Sequence, residues 1–452
     1  MQYDIIELRS SSWLYAIYVI IKIKKNLTRK KYFCQNLYIM QTLYKNIRIV
    51  DDTQDFMGCI LVENGIITKV AEVIDDPAFE IIPAYGLYNS QLIVRDFTGE
   101  DVVLMPAFTD LHAHFRDPGY TYKEDLETGC DAAIKGGFTA VNLMPNTSPV
   151  CNSVEQAKEI QKRAEELAGI TVNQTISMTK DSQGIDIEHL KLLNNNEVLF
   201  ITDDGKGVQD DGIMNRIFEI CDEKSITVMS HAEDTKYSAT DMRKAENEMT
   251  ARDIRLLKYV TGRGEFHGRP MLHFCHVSTK EAIEMISKAQ DEGLKVTCEV
   301  TPHHIFATGE ETNHYRVNPP FREQEDIDAL IKAMQNGNVF AIATDHAPHT
   351  AEEKQKGAPG MIGLELAFPL CYTKLVKGGF LTLSHLLKLL SSNPSNMMKL
   401  NKGKIVEGMN AEFVIAELQQ EYKIDVSGLA SKSRNTPFDG ISVYGKILET
   451  IF

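Results

Sequence analysis

From about residue 100 to residue 345 the chain repeats one phrase: a short apolar run, a loop, then a stretch of helical period. The runs are Val102 to Met105, Thr139 to Leu143, Ile170 to Ile176, Val198 to Ile201, Ile226 to Met229, Met271 to Cys275, Val296 to Val300 and Val339 to Ala343. Strands that alternate with helices and are apolar throughout belong in a parallel sheet covered on both faces. Eight of them predict a closed barrel. Helix starts are legible between the runs, with SVEQ at Ser153 and STKE at Ser278 as capping boxes whose hydroxyl and acid satisfy orphan amides. Behind the second box, Ala282, Ile283, Met285, Ile286 and Ala289 form an apolar helical face. The fold class is therefore α/β, a (β/α)8 TIM-like barrel over residues 101–402. Residues 40–100 and 403–452 lack this rhythm and read as short strands, pairing into one small β domain built from both flanks.

Residues 1–39 differ from the rest. Seven Lys and Arg side chains there oppose only Asp4 and Glu7, and the apolar run Trp13 to Ile21 is about half the ~20 residues a membrane helix needs. Its positive charge follows the run, which is the wrong order for a signal peptide. The segment reads as a non-essential basic extension, with Met40 as the functional initiator. Over the whole chain 48 Lys and Arg face 63 Asp and Glu, and the net charge of −15 repels phosphate backbones and anionic membranes. Eight scattered cysteines without a CxxC pair are expected to be reduced thiols, which predicts a cytoplasmic location.

In such a barrel the reacting groups sit after the C-terminal ends of the strands, and those positions hold metal-ligand residue types. His112 and His114 form a His-x-His whose side chains project to one side of an extended chain. Asp203-Asp204-Gly205 follows the fourth run, His231 the fifth and His276 the sixth, and Asp345 stands in ATDHAPH at the end of the eighth. Each has an ordinary reading by itself, Asp-Asp-Gly as a turn and a lone His as a rim residue. Their shared position carries the argument: four histidines and two aspartates at one end suit a pair of divalent ions with a shared carboxylate and a bridging water. Such a pair brings the water's pKa from about 16 towards 7, which predicts hydrolysis of an unreactive C–N bond. Arg116, two residues beyond His114, can clamp a substrate carboxylate bidentately; the alternative is an ion pair with Asp117. Asn146, Asn318 and His349 are loop-borne groups able to orient ring amides and carboxyls, although Pro-flanked Asn is also a turn residue. For His303 and His304 nothing separates ligand from structure.

Taken together, HAHFRDPG at His112, MPNT at Met144, TDDG at Thr202, SHAED at Ser230, CHVSTKE at Cys275, CEVTPHH at Cys298, NPPFR at Asn318 and TDHAPH at Thr344 resemble the bacterial dihydroorotases of the amidohydrolase superfamily. The likeness runs from about residue 40 to 450 and includes SKSRNTPFDG near the C-terminus. The resemblance implies reversible cyclisation of N-carbamoyl-L-aspartate to L-dihydroorotate, a step of pyrimidine synthesis, through a metal-bridged hydroxide and two zinc ions, with Co2+ or Mn2+ as alternatives. It implies His112, His114 and Asp345 on one ion, His231 and His276 on the other, and Asp204 between them. It further implies Asp345 as general base and acid, substrate contacts from His114, Arg116, Asn146, Asn318, His349 and Gly360, and a homodimer. Many superfamily members bridge their metals with a carbamylated lysine; here Asp204 is the expected bridge, with Asp203 as fallback and Lys206 nearby. The rival readings are another cyclic amidohydrolase, a dihydropyrimidinase (hydantoinase) or allantoinase, and a non-catalytic dihydroorotase-like subunit that scaffolds a partner enzyme.

Overall fold

The computed structural model describes residues 39–74, 90–194, 196–262 and 272–452, so nearly all of the basic extension lies outside the described residues. Five strands come first: β1 (Ile39–Val50), β2 (Asp55–Glu63), β3 (Ile66–Ala71), β4 (Ser90–Asp96) and β5 (Val102–Pro106). The barrel strands follow as β6 (Phe108–Ala113), β7 (Phe138–Leu143), β8 (Thr171–Gln174), β9 (Phe200–Ile201), β10 (Thr227–Ser230), β11 (Leu272–Phe274), β12 (Val296–Val300) and β13 (Ala341–Ile342). The chain ends with β14 (Phe413–Glu417), β15 (Tyr422–Lys423), β16 (Ser442–Val443) and β17 (Lys446–Ile451).

Strands β6 to β8 and β9 to β13 are two parallel arcs joined by bridges from Ile176 to Ile201 and from Ala113 to His346, which close the barrel. One expectation needs correction. Val102 to Met105 is not the first barrel strand: β5 pairs with β1 and, antiparallel, with β14, in a sheet ordered β17-β14-β5-β1-β2-β3. The first barrel strand is β6, which begins after a single intervening residue, Ala107. The small sheet thus reaches Pro106, beyond the expected boundary at residue 100. Nor does the whole C-terminal segment belong to that sheet. Residues between β14 and β17 leave it to pack Ile424, Val426, Phe438 and Val443 against Met361 and Leu366.

Local chemistry accounts for the helix starts. Ser153 caps the helix Val154–Ala168 by accepting from the Gln156 amide. The helix Lys280–Asp291 is capped by Thr279, one residue later than expected, because the Ser278 hydroxyl is taken by buried Glu246. Ala282, Ile283, Ile286 and Ala289 are the buried face of that helix, as its period predicts, and Met285 is only partly covered. Between barrel and small sheet, the fully buried ammonium of Lys402 reaches Glu412 at 2.8 Å and the Thr139 hydroxyl of β7. No helix among the described residues is long and apolar enough to cross a membrane.

Candidate metal centre

His112 is buried at the penultimate position of β6, and His114 follows just past its end. Asp204 lies three residues beyond β9, His231 directly after β10, His276 two beyond β11 and Asp345 three beyond β13. All six side chains are buried at one rim. Ligand atoms of His112, His114 and Asp204 lie within 4.8 Å of one another, as do those of Asp204, His231 and His276. Asp204 is common to both groups. Its Oδ1 faces His112 Nε2 at 3.3 Å, His231 Nδ1 at 3.5 Å and His276 Nε2 at 3.8 Å, while Oδ2 faces His114 Nε2 at 3.5 Å. Asp345 Oδ1 is 3.2 Å from His114 Nε2 and 3.7 Å from His112 Nε2. Arg116, His276 and Asp345 hold φ values of 59°, 37° and 46°, a left-handed backbone that costs non-glycine residues about 1–3 kcal/mol and is typical of functional positions.

Of the two adjacent aspartates only Asp204 joins the cluster. Asp203 turns away and accepts from the Thr179 amide at 3.1 Å and from its hydroxyl, anchoring a loop. Lys206 is exposed.

The imidazoles are oriented by partners behind them. His112 Nδ1 lies 2.8 Å from Glu299 Oε1, so its proton sits on Nδ1 and the Nε2 lone pair faces the cluster. That Nε2 is buried and has no hydrogen-bond partner. His231 Nε2 lies 2.9 Å from Glu233, which leaves Nδ1 facing His276 Nε2 at 2.9 Å. Two ring nitrogens at that distance need a proton or a cation between them. These orphaned and converging nitrogens, with one carboxylate between them, fit divalent metal ions.

Electrostatics agree with that fit. For Asp204, burial opposes ionisation, but the surrounding imidazoles of His112, His231 and His276 hold the carboxyl well below the usual range. Asp345 behaves alike: its burial is outweighed by the neighbouring imidazoles of His114 and His112. Burial also opposes Glu233, whose bonds from His231, Asn318 and Ser238 hold it at about 2. A third potential ligand group, His112, Cys275 and Glu299, shares His112 and spends its carboxylate on His112 and His273, so it supports the centre instead of forming another.

The expected substrate residues divide into two sets. Arg116 is half-buried and in no ion pair among the described residues; Asp117, its expected alternative partner, is taken by Arg163 at 2.8 Å. Its guanidinium lies 3.5 Å from His349 Nε2. Burial, Arg116 and Lys123 push His349 down to about 3, so the ring is neutral and can accept from the guanidinium. Asn318 donates to Glu233 at 2.8 Å and keeps a buried, unpartnered Oδ1. Asn146 and Gly360, by contrast, are engaged. Asn146 holds His114 Nδ1 at 2.9 Å and Asp204 Oδ2 at 3.0 Å, which makes it an orienter of two candidate ligands. Gly360 donates to the Arg316 carbonyl, and its own carbonyl accepts from Lys354 and Asn435, so the backbone contact expected of it is already spent within the protein. Its φ of 126°, and the 2.8 Å at which a Cβ would meet Ala347, require glycine for the turn itself.

Sequence reasoning missed Glu233, Glu299 and Asn435. Glu299 gives a signal in retrospect: it is an acid in an otherwise apolar buried strand, and such a charge is retained only with partners. Asn435 donates to Ala347 and Gly360 and accepts the His349 amide, so the C-terminal segment reaches the rim. His304 is held by Thr301 and Pro319, and His303 keeps a buried unpartnered Nε2.

Comparison with known proteins places these features in context. Residues 103–452 match the family described as the amidohydrolase family. A dihydroorotase of Clostridium botulinum (strain Eklund 17B / Type B) is 46% identical over 413 residues, 91% of this chain and 98% of the relative. A dihydroorotase of Acetivibrio thermocellus is 36% identical, over 90% and 97%. Among solved structures, L-hydantoinase (dihydropyrimidinase) from Arthrobacter aurescens superposes with a TM-score of 0.78 at 24% identity, covering 91% of this chain and 94% of that one. Dihydropyrimidinase from Brevibacillus agri NCHU1002 gives 0.77 at 20% identity, over 91% and 94%.

Proposed function

The chain belongs to the amidohydrolase family and, within it, to the dihydroorotases, and from that premise we propose how its barrel rim interconverts N-carbamoyl-L-aspartate and L-dihydroorotate. The reaction is reversible hydrolysis of one ring amide. His112, His114 and Asp345 would hold one divalent ion, His231 and His276 the other, with Asp204 between them. Two bound ions, zinc in our reading and Co2+ or Mn2+ as substitutes, supply a water acidic enough to ionise near neutral pH and polarise the ring carbonyl.

The chain's own groups do the rest. Asp345, ionised at neutral pH by its imidazole neighbours, takes the proton as water adds to the carbonyl carbon, and returns it to the nitrogen as the C–N bond breaks. In the cyclising direction the same carboxyl gives and takes in reverse. Arg116 binds the substrate carboxylate, and neutral His349 beside it fixes the fork without adding a second charge. Glu299, Glu233 and Asn146 hold the imidazole tautomers.

The observation that carries this reading is an unpaired guanidinium next to converging lone pairs. A hydantoinase shares barrel and metals, but its substrate has no ring carboxylate for Arg116. A scaffold subunit has no use for six retained ligand positions. Metal analysis, with turnover measured on dihydroorotate and on hydantoin, tests the assignment: two metals per chain and a strong preference for dihydroorotate are expected, and preference for hydantoin overturns it. All seven described cysteines are free and buried, which suits a reducing cytoplasm. A homodimer follows from the family resemblance and is checked by light scattering.

A further inference from the structure

One oxygen of Glu233 joins the metal side of the centre to its substrate side. Oε2 lies 2.9 Å from His231 Nε2 and accepts from Asn318 Nδ2 at 2.8 Å. An ionised carboxylate only accepts, so it fixes the polarity of both partners. His231 must carry its proton on Nε2, leaving Nδ1 as the lone pair toward the cluster. Asn318 must turn its NH2 to Glu233, which leaves Oδ1 as the atom it offers to anything else. That oxygen is buried and without a partner. A buried unsatisfied acceptor is destabilising, and any ligand that donates to it removes the penalty. Asn318 and Glu233 also line one small cavity together with His231 and His276.

We propose that Glu233 is a positioning residue with two tasks: it sets the His231 tautomer for metal binding and makes Asn318 an acceptor-only reader of a substrate ring N–H. The proposal rests on the dihydroorotase reading of the site. It predicts that recognition of the ring N–H and retention of metal both weaken when Glu233 is removed, while removal of Asn318 affects recognition alone.

The test uses the metal-loaded full chain and the variants Glu233→Leu, Glu233→Gln and Asn318→Ala, with thermal melting as the folding control. Binding of dihydroorotate and of two analogues, each with one ring N–H replaced by CH2, is measured by competition, and metal retention by titration with a chelator. Wild type should bind dihydroorotate about tenfold or more tighter than one of the analogues, the equivalent of one hydrogen bond of about 1.4 kcal/mol. In Glu233→Leu that ratio should fall toward one, and metal should be lost with 10- to 100-fold weaker affinity. Glu233→Gln, whose amide oxygen still accepts, should recover most of the discrimination. Asn318→Ala should lose discrimination and keep its metal, which preserves the test should Glu233→Leu fail to fold. Equal binding of all three compounds by wild type, or unchanged discrimination in Glu233→Leu and Asn318→Ala, overturns the proposal. Failure of wild type to turn over dihydroorotate overturns the functional reading instead; metal retention then judges Glu233 alone, and unchanged retention in Glu233→Leu refutes its role.

Discussion

His112 Nδ1 lies 2.8 Å from Oε1 of Glu299, and both side chains are fully buried. The second oxygen lies 3.0 Å from His273 Nε2. Burial opposes this carboxylate, yet the bonds from His112 and His273 hold Glu299 at about 2, so it is ionised at any working pH and fixes the His112 proton on Nδ1. Glu299→Gln offers a donor where an acceptor is needed and lets the His112 proton move to Nε2. Metal affinity should fall about 10- to 100-fold. Chelator competition measures it, and wild-type affinity in the variant would refute the tautomer argument.

Asp345 stands just past β13 with a φ of 46°. Its loss should lower kcat about 10²- to 10⁴-fold, the usual contribution of a proton-transfer group, while the barrel still folds. The choice of replacement matters. Asn tolerates the left-handed backbone and Ala does not, so Asp345→Ala should melt lower than Asp345→Asn although both are inactive. Full turnover in either variant would remove Asp345 from the proton-transfer role.

The barrel was legible because seven of the eight apolar runs overlap barrel strands. The first run was misread for a physical reason. β6 carries Asp110 and His112, polar groups that face the interior for hydrogen bonding and chemistry, so its sequence FTDLHA lacks the apolar signature that its neighbour β5 displays. The metal-ligand residue types were legible from position along the chain alone. Their supporting shell was not: Glu233 meets Asn318 across 85 positions and Glu299 meets His112 across 187, distances that no local pattern encodes. Asn146 reads as a substrate group because its loop position is right, and only the folded chain brings both ends of its amide to His114 and Asp204.

His349 supplies a pH prediction. Burial, with the Arg116 and Lys123 charges, lowers its pKa to about 3 from an unfolded value of about 6.5. Between those values the unfolded chain binds a proton that the folded chain refuses, so stability rises with pH across that window and the ring contributes no pH dependence above it. His349→Asn should therefore reduce the gain in melting temperature between pH 5 and pH 7 relative to wild type. An identical gain in both proteins would show that the imidazole is not held neutral.

Arg116 tests the substrate assignment most directly. Its guanidinium meets no carboxylate in the described structure, so an anion from outside would be its first ion pair. Arg116→Met keeps much of the aliphatic stem and removes only the fork. A charged hydrogen bond of about 1.5–3 kcal/mol then disappears, which lowers kcat/KM for dihydroorotate about 10- to 150-fold. Because the carboxylate is bound in ground and transition states alike, the loss should appear mainly in KM. A cyclic amide without that carboxylate gives the guanidinium nothing to hold, so slow turnover of hydantoin should be unchanged. An equal loss on both substrates would mean that Arg116 supports the fold of the rim, and an unchanged KM for dihydroorotate would mean that another residue binds its carboxylate.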